Sequence, residues 1–172
     1  MEQKVTSSVS KGVIITLLLI VLGLIIYFTG QMQNKSLSYL QYIILIGGII
    51  WSCISYAKQM NGNVTFGNVF AHGFKTTAVV AALLAVYTFI AVKFLFPDIV
   101  DKSLEMAKKE MASKNLSEEQ MQTGLDMARK FFLPFAIGGI LVIFAILGCV
   151  SSLIGAAIAK KNPQGPFAQQ QM

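Results

Sequence analysis

Four stretches of this chain run for about twenty residues or more with almost no charge, and that feature limits the folds open to it more than any other. Residues 12–30, 37–57 and 131–159 contain no Asp, Glu, Lys or Arg, and residues 76–96 contain one, Lys93. About 20 apolar residues cross the ~30 Å of bilayer hydrocarbon as a helix rising 1.5 Å per residue. Only helices and closed barrels satisfy their own backbone groups in lipid. A barrel needs alternating segments of about ten residues, and these runs are continuous. The expected fold is therefore all-α, an integral membrane four-helix bundle. Composition agrees: 55% of residues are hydrophobic and 13% charged, about half the charged share of a soluble domain. A coiled coil, a disordered tail and an ordinary water-soluble enzyme are excluded. The first run follows Lys4 and Lys11, as a signal peptide would, but it exceeds an h-region and no A-x-A-like site follows it. It reads as a retained first helix.

The connections are unequal. A short segment, residues 1–11, precedes the first span, and residues 31–36 form a tight link to the second. Asn61-Gly62-Asn63 marks a turn before the third. Thr65 suits a helix N-cap there, so the third helix is expected over 65–96, with an amphipathic start. Phe66, Phe70 and Phe74 recur at i, i+4 and i+8, one face of a helix that anchors rings in the membrane interface. Asn68, His72 and Lys75 are spaced around the polar side. Lys93 lies near the span's end and is expected to snorkel to the headgroups. Pro97 stops the helix.

Residues 98–130 hold seven of the eight acidic residues. Val100, Leu104, Ala107 and Met111 form one helical stripe, and Met121, Leu125, Ala128 and Phe132 form another. Between them, Asn115 suits a left-handed C′ position. Ser117 with Gln120 matches a capping box. Glu105–Lys109 and Glu110–Lys114 are i,i+4 pairs. The reading is an amphipathic helical hairpin outside the bilayer, with Val100, Leu104, Met111, Met121 and Leu125 as candidate partner surface. Pro134 predicts a break or kink where the hairpin meets the fourth span, 131–159. Residues 160–172 read as a flexible basic and Gln-rich tail.

Fourteen Lys/Arg against eight Asp/Glu give a formal charge of +6. The basic residues are scattered between apolar blocks, not gathered on one surface, so nucleic acid is not an expected partner. The lipid bilayer is. Basic residues next to the first and fourth spans at the two termini place both termini in the cytoplasm.

Candidate chemistry is sparse. Cys53 and Cys149 fall inside apolar runs and read as small buried side chains. The single histidine, His72, has no ligand-spaced neighbours and reads as a polar surface residue at the interface, with pH sensing as the sharper alternative. No Asp, Glu, Arg or His stands at mid-depth in a span, where a proton-coupled carrier would keep one. Met106, Met111, Met121 and Met127 invite a copper reading, but Met111 and Met121 lie on packing stripes, where methionine fills gaps. No metal, cofactor or catalytic set is expected. Small residues do form a pattern. Gly148, Ser152 and Ala156 recur every fourth residue, beside Ser151, Gly155 and Ala159. Ala78-x-x-x-Ala82 and Ala81-x-x-x-Ala85 echo this in the third span. Such stripes let helix backbones approach, inside one bundle or between copies in a homo-oligomer.

Thr65-Phe66-Gly67, Phe70 and Gly73-Phe74, then Pro97-Asp98 and Leu116-Ser117-Glu118-Glu119, make a pattern that resembles the bacterial membrane family catalogued as domain of unknown function 4199. The resemblance covers nearly the whole chain and implies a bacterial inner-membrane protein of four helices. It implies no activity. From the residues, the first expectation is a non-catalytic scaffold or accessory subunit that meets another membrane or periplasmic protein through 98–130. The alternative is a small oligomeric channel or transporter component, with Ser52, Ser55, Thr88, Ser151 and Ser152 as its sparse polar path. A lipid-modifying enzyme lacks a nucleophile–base pair.

Overall fold

A computed structural model describes residues 5–32, 34–112 and 117–162. Among these, six α-helices and no strands occur: α1 (Ser8–Phe28), α2 (Lys35–Gln59), α3 (Phe66–Ile90), α4 (Asp98–Ala112), α5 (Glu118–Lys130) and α6 (Phe132–Ile158). A π-helical turn, Ala91–Leu95, continues α3. Four helical segments are long and apolar enough to cross a membrane: Ser8–Phe28, Tyr39–Gln59, Phe66–Leu95 and Phe132–Ile158. Expected features at Asn115 and Lys114, and the tail beyond Asn162, lie outside the described residues.

The helix ends follow from local chemistry. Free N–H groups in a first helical turn need acceptors. The Ser7 hydroxyl accepts from Ser10 N at 3.1 Å, and Asn34 Oδ1 from Ser36 N at 3.0 Å. Thr65 Oγ1 accepts from Asn68 N at 3.2 Å, which fixes the start of α3 where the sequence suggests it. The turn before it uses Asn61 (φ 51°) and Gly62 (φ 76°), left-handed positions that asparagine and glycine tolerate. The second connection is thus shorter than a reading by charge implies. At α5, Ser117 and Gln120 form the complete capping box. Ser117→Ala is expected to cost about 1 kcal/mol, seen as roughly fivefold faster hydrogen exchange at the first-turn amides of α5. Unchanged exchange would refute that role. Pro134 lies in the first turn of α6, where a missing N–H costs little. The break falls one turn earlier, at Phe131, whose N–H closes α5 on Met127 O at 3.0 Å.

The chain divides into two compact units: Met1–Leu83 with Ile143–Met172, and Leu84–Val142. In the first, Ile15, Leu45, Ile49, Cys53, Val69, Val80 and Ala156 are fully or almost fully buried. So are Lys11, Ser52, His72, Thr76, Thr77, Ser151 and Ser152. Meanwhile Leu17, Leu18, Val21, Ile25, Ile146, Val150, Leu153 and Ile158 are exposed. Polar side chains inside and large aliphatic ones outside reverse the arrangement expected in water.

Contacts in this unit are close because small residues stand at them. A Cβ on Gly73 would sit 2.7 Å from Ser152 Oγ, and one on Gly148 would sit 2.7 Å from Thr77 Cβ. Each helix, α3 and α6, thus offers a glycine to a hydroxyl residue of the other, four residues apart and in antiparallel order. Gly155 packs on Cys53 and Ile50 of α2 in the same way, and Gly12 of α1 on Val79 of α3. Ala156 and Ala159 are buried as well. Ala78 and Ala82 are exposed. The small face of α3 is Gly73-Thr77-Ala81: Ala81, from the second alanine pair, is buried on it, whereas Ala78 and Ala82 lie about 100° round the helix.

In the second unit, α4 and α5 meet through Arg129 Nη2 and Asp101 Oδ1 at 2.6 Å and through Met111 against Gly124. Leu104 is buried there, and Val100, Met111, Met121 and Leu125 are half-buried. Asp98 pairs with Lys102 at 2.7 Å. Lys93 is exposed in the π-helical turn.

Candidate functional site

The first unit contains a polar network that runs through three helices. Its least expected member is Lys11. It stands one turn into α1, beside Gly12, whose missing side chain lets α1 approach α3. Lys11 is 1% exposed, and its Nζ donates to the backbone carbonyl of Ser52 on α2 at 3.3 Å. The amine reaches inward. Thr6 N–H donates to Gln59 Oε1, and Gln59 Nε2 to Thr6 Oγ1, which sets these two residues level. Lys11 lies about 7 Å beyond Thr6 at helical rise, and Ser52 about 10 Å back from Gln59. A snorkelling lysine would point the other way.

From Ser52 the network crosses to α3. Thr76 Oγ1 donates to His72 O at 2.9 Å, which commits its only hydrogen, so Ser52 Oγ donates to Thr76 Oγ1 at 3.1 Å. His72 closes the ring on α1, with Nδ1 3.1 Å from Ser8 Oγ. The imidazole lies flat on Tyr56 of α2, centroids 4.2 Å apart and planes 9° apart. His72 is 7% exposed, and its Nε2 has no hydrogen-bond partner. Ser152 Oγ, also buried, has none either. By contrast the hydroxyls of Thr16, Thr77 and Ser151 bond carbonyls four residues back on their own helices. That satisfies them locally and makes them chemically quiet.

Two expectations are corrected here. His72 is not a surface residue: it turns into the bundle, while Asn68 and Lys75 of the same helix remain exposed. Lys11 is not simply a flanking charge but a buried ammonium inside the first candidate span. The sequence did carry one signal. Lys11, Ser52, His72 and Thr76 occupy ends of apolar runs that an antiparallel arrangement brings level.

A cleft of about 190 Å3 opens beside the network, lined by Ser8, Tyr56, Asn68, Ala71, His72 and Lys75. A second cleft, about 540 Å3, is lined by Lys58, Asn61, Gly62, Lys160, Lys161 and Asn162, among others. Lys161 there donates to the Ala156 carbonyl and lies 5.3 Å from the Phe66 ring centroid, so its amine serves the end of α6. Phe70 and Phe74 stack at 6.0 Å, and Phe66 and Phe74 are exposed. Within the second unit, a cleft of about 390 Å3 lies between α4 and α5, with Asp101, Glu105, Lys108, Gln122, Asp126 and Arg129 on its walls. Among the described residues no group of three or more His, Cys, Asp or Glu could hold a metal ion, and Cys53 and Cys149 are free thiols.

The first unit can therefore position a cation and several hydroxyl and amide donors. His72 Nδ1 touches a serine, but Nε2 lacks the carboxylate that would orient a catalytic base. No curated protein and no solved structure matches the chain. Residues 11–161, from the buried lysine of α1 to the lysine pair after α6, match a family described as protein of unknown function DUF4199, and the chain belongs to that family.

Proposed function

We propose that this protein crosses a bacterial inner membrane four times, with both termini in the cytoplasm, and serves there as a non-catalytic scaffold or accessory subunit. The reversed burial pattern of the first unit supports the membrane reading: lipid is the solvent in which exposed Leu, Ile and Val and buried Ser, Thr and Lys cost least. Lys58, Lys75, Lys160 and Lys161 all fall at the end where α1 begins and α2 finishes, which favours that end as cytoplasmic. The observation that carries the scaffold role is the α4–α5 pair. Its apolar stripes are largely spent on each other, and Asp101–Arg129 ties the two helices across an open cleft of mixed charge. That ion pair is over 60% exposed and is worth about 1 kcal/mol at most. The partner surface is then the charged outer wall, Glu105, Lys108, Gln122 and Asp126, more than the stripe residues themselves. Replacing residues 98–130 by a short Gly/Ser linker is expected to abolish crosslinking to partner proteins in native membranes while the spans remain inserted. Retention of every crosslink would refute the role.

The buried Lys11 network favours a second reading, a small oligomeric channel or transporter component, because ionisable groups inside spans mark solute paths. Ion flux through proteoliposomes that falls at least tenfold in Lys11→Met would support it. Absence of flux for every ion tried would remove it.

A further inference from the structure

We infer that the cleft between α1, α2 and α3 binds a phosphate-type oxyanion, with Lys75, Asn68, Ser8, Tyr56 and His72 as its walls. Charge is the first argument. No carboxylate lines the cleft, whereas Lys75 and the Asn68 amide can both donate. The second argument is unmet bonding. His72 is more than nine-tenths buried, and its Nε2 is unpartnered. In the tautomer where Ser8 donates to Nδ1, Nε2 is a free donor. Third, Ser8 opens α1, so the positive end of that helix dipole faces the cleft. Size sets the class. At about 190 Å3 the cleft is smaller than the ~300 Å3 of a drug-sized pocket. It admits a tetrahedral oxyanion with a few waters, not a nucleotide. The same chemistry is carried by free phosphate and by the phosphodiester of an anionic lipid.

The test uses the full chain purified in a neutral detergent, with thermal unfolding as readout. Sodium phosphate is titrated against sodium chloride at equal ionic strength, and phosphatidylglycerol against phosphatidylcholine in mixed micelles. A saturable rise of several degrees with phosphate or with phosphatidylglycerol supports the site. A rise with phosphatidylglycerol alone assigns it to lipid, and one with phosphate alone to a soluble anion. Lys75→Gln and Asn68→Ala are both exposed changes that leave the network intact, and each is expected to weaken the apparent affinity about tenfold. Lys58→Gln, which lines a different cleft, leaves it unchanged. Equal effects of chloride and phosphate with no response to phosphatidylglycerol, unaltered affinity in Lys75→Gln, or an equal loss in Lys58→Gln would each overturn the inference.

Discussion

Gly148→Val is expected to keep the first unit from assembling. A Cβ at this position already falls 2.7 Å from Thr77 Cβ, inside the range that real side chains avoid. Thr77 cannot simply rotate away, because its hydroxyl is held by Gly73 O at 3.1 Å. The neighbouring contact, Gly73 against Ser152, is equally close and lies one turn along both helices, so α6 cannot pivot about it. Gly148→Ala is expected to cost about 1–3 kcal/mol, the usual range for overpacking. Valine, with two further methyl groups, is expected to exceed that and to give aggregated or protease-sensitive protein in detergent. A rescue separates this cause from a general dislike of substitution. Thr77→Ala combined with Gly148→Ala is expected to recover more than half of the loss, since the crowding atoms are removed from the other side. Denaturation of the four proteins in a double-mutant cycle measures the coupling. Additive losses would show that α3 and α6 do not meet here.

The second large effect is expected at Lys11. Lys11→Glu replaces a donor with an acceptor opposite the Ser52 carbonyl, in a position that is almost wholly buried. Breaking such an arrangement and leaving an uncompensated charge costs about 3–5 kcal/mol. Lys11→Met has nearly the same length and no charge. Ser52 O keeps its place in the α2 hydrogen-bond ladder, so the change in stability is expected to stay within about 1 kcal/mol. The two variants thus distinguish a lysine kept for what its charge does from one kept for packing. Equal, severe destabilisation by methionine and glutamate would make Lys11 a structural strut and leave no reason to seek its counter-ion.

Much of this protein is readable from one-dimensional patterns. The ends of α5 and α3 were legible because Ser117, Gln120 and Thr65 act on N–H groups within three residues of themselves, and sequence distance is then physical distance. The stripe of α6 was legible for a similar reason. Its spacing is the pitch of a helix, and every member of it, Gly148 and Gly155 included, packs with little exposed area. The α3 echo held at Ala81 but not at Ala78 and Ala82, which share their spacing with Gly73, Thr77 and Ala81. Periodicity defines a face but not which of several faces turns inward. Hydropathy misplaced His72 for the same reason, since an imidazole beside Asn68 and Lys75 looks like part of a wet surface until Tyr56 is laid against it.

The sequence alone determined that this chain must form long helices and where most of them begin and end. Charge-free runs have few alternatives, and caps are local. Only the tertiary structure decided that Lys11 is inside. Its burial depends on a carbonyl forty-one residues away and on the absence of a side chain at Gly12, which lets α1 and α3 close over it. A lysine at the edge of an apolar run has two energetically reasonable positions, headgroups or interior, and the choice rests on neighbours that no local pattern contains.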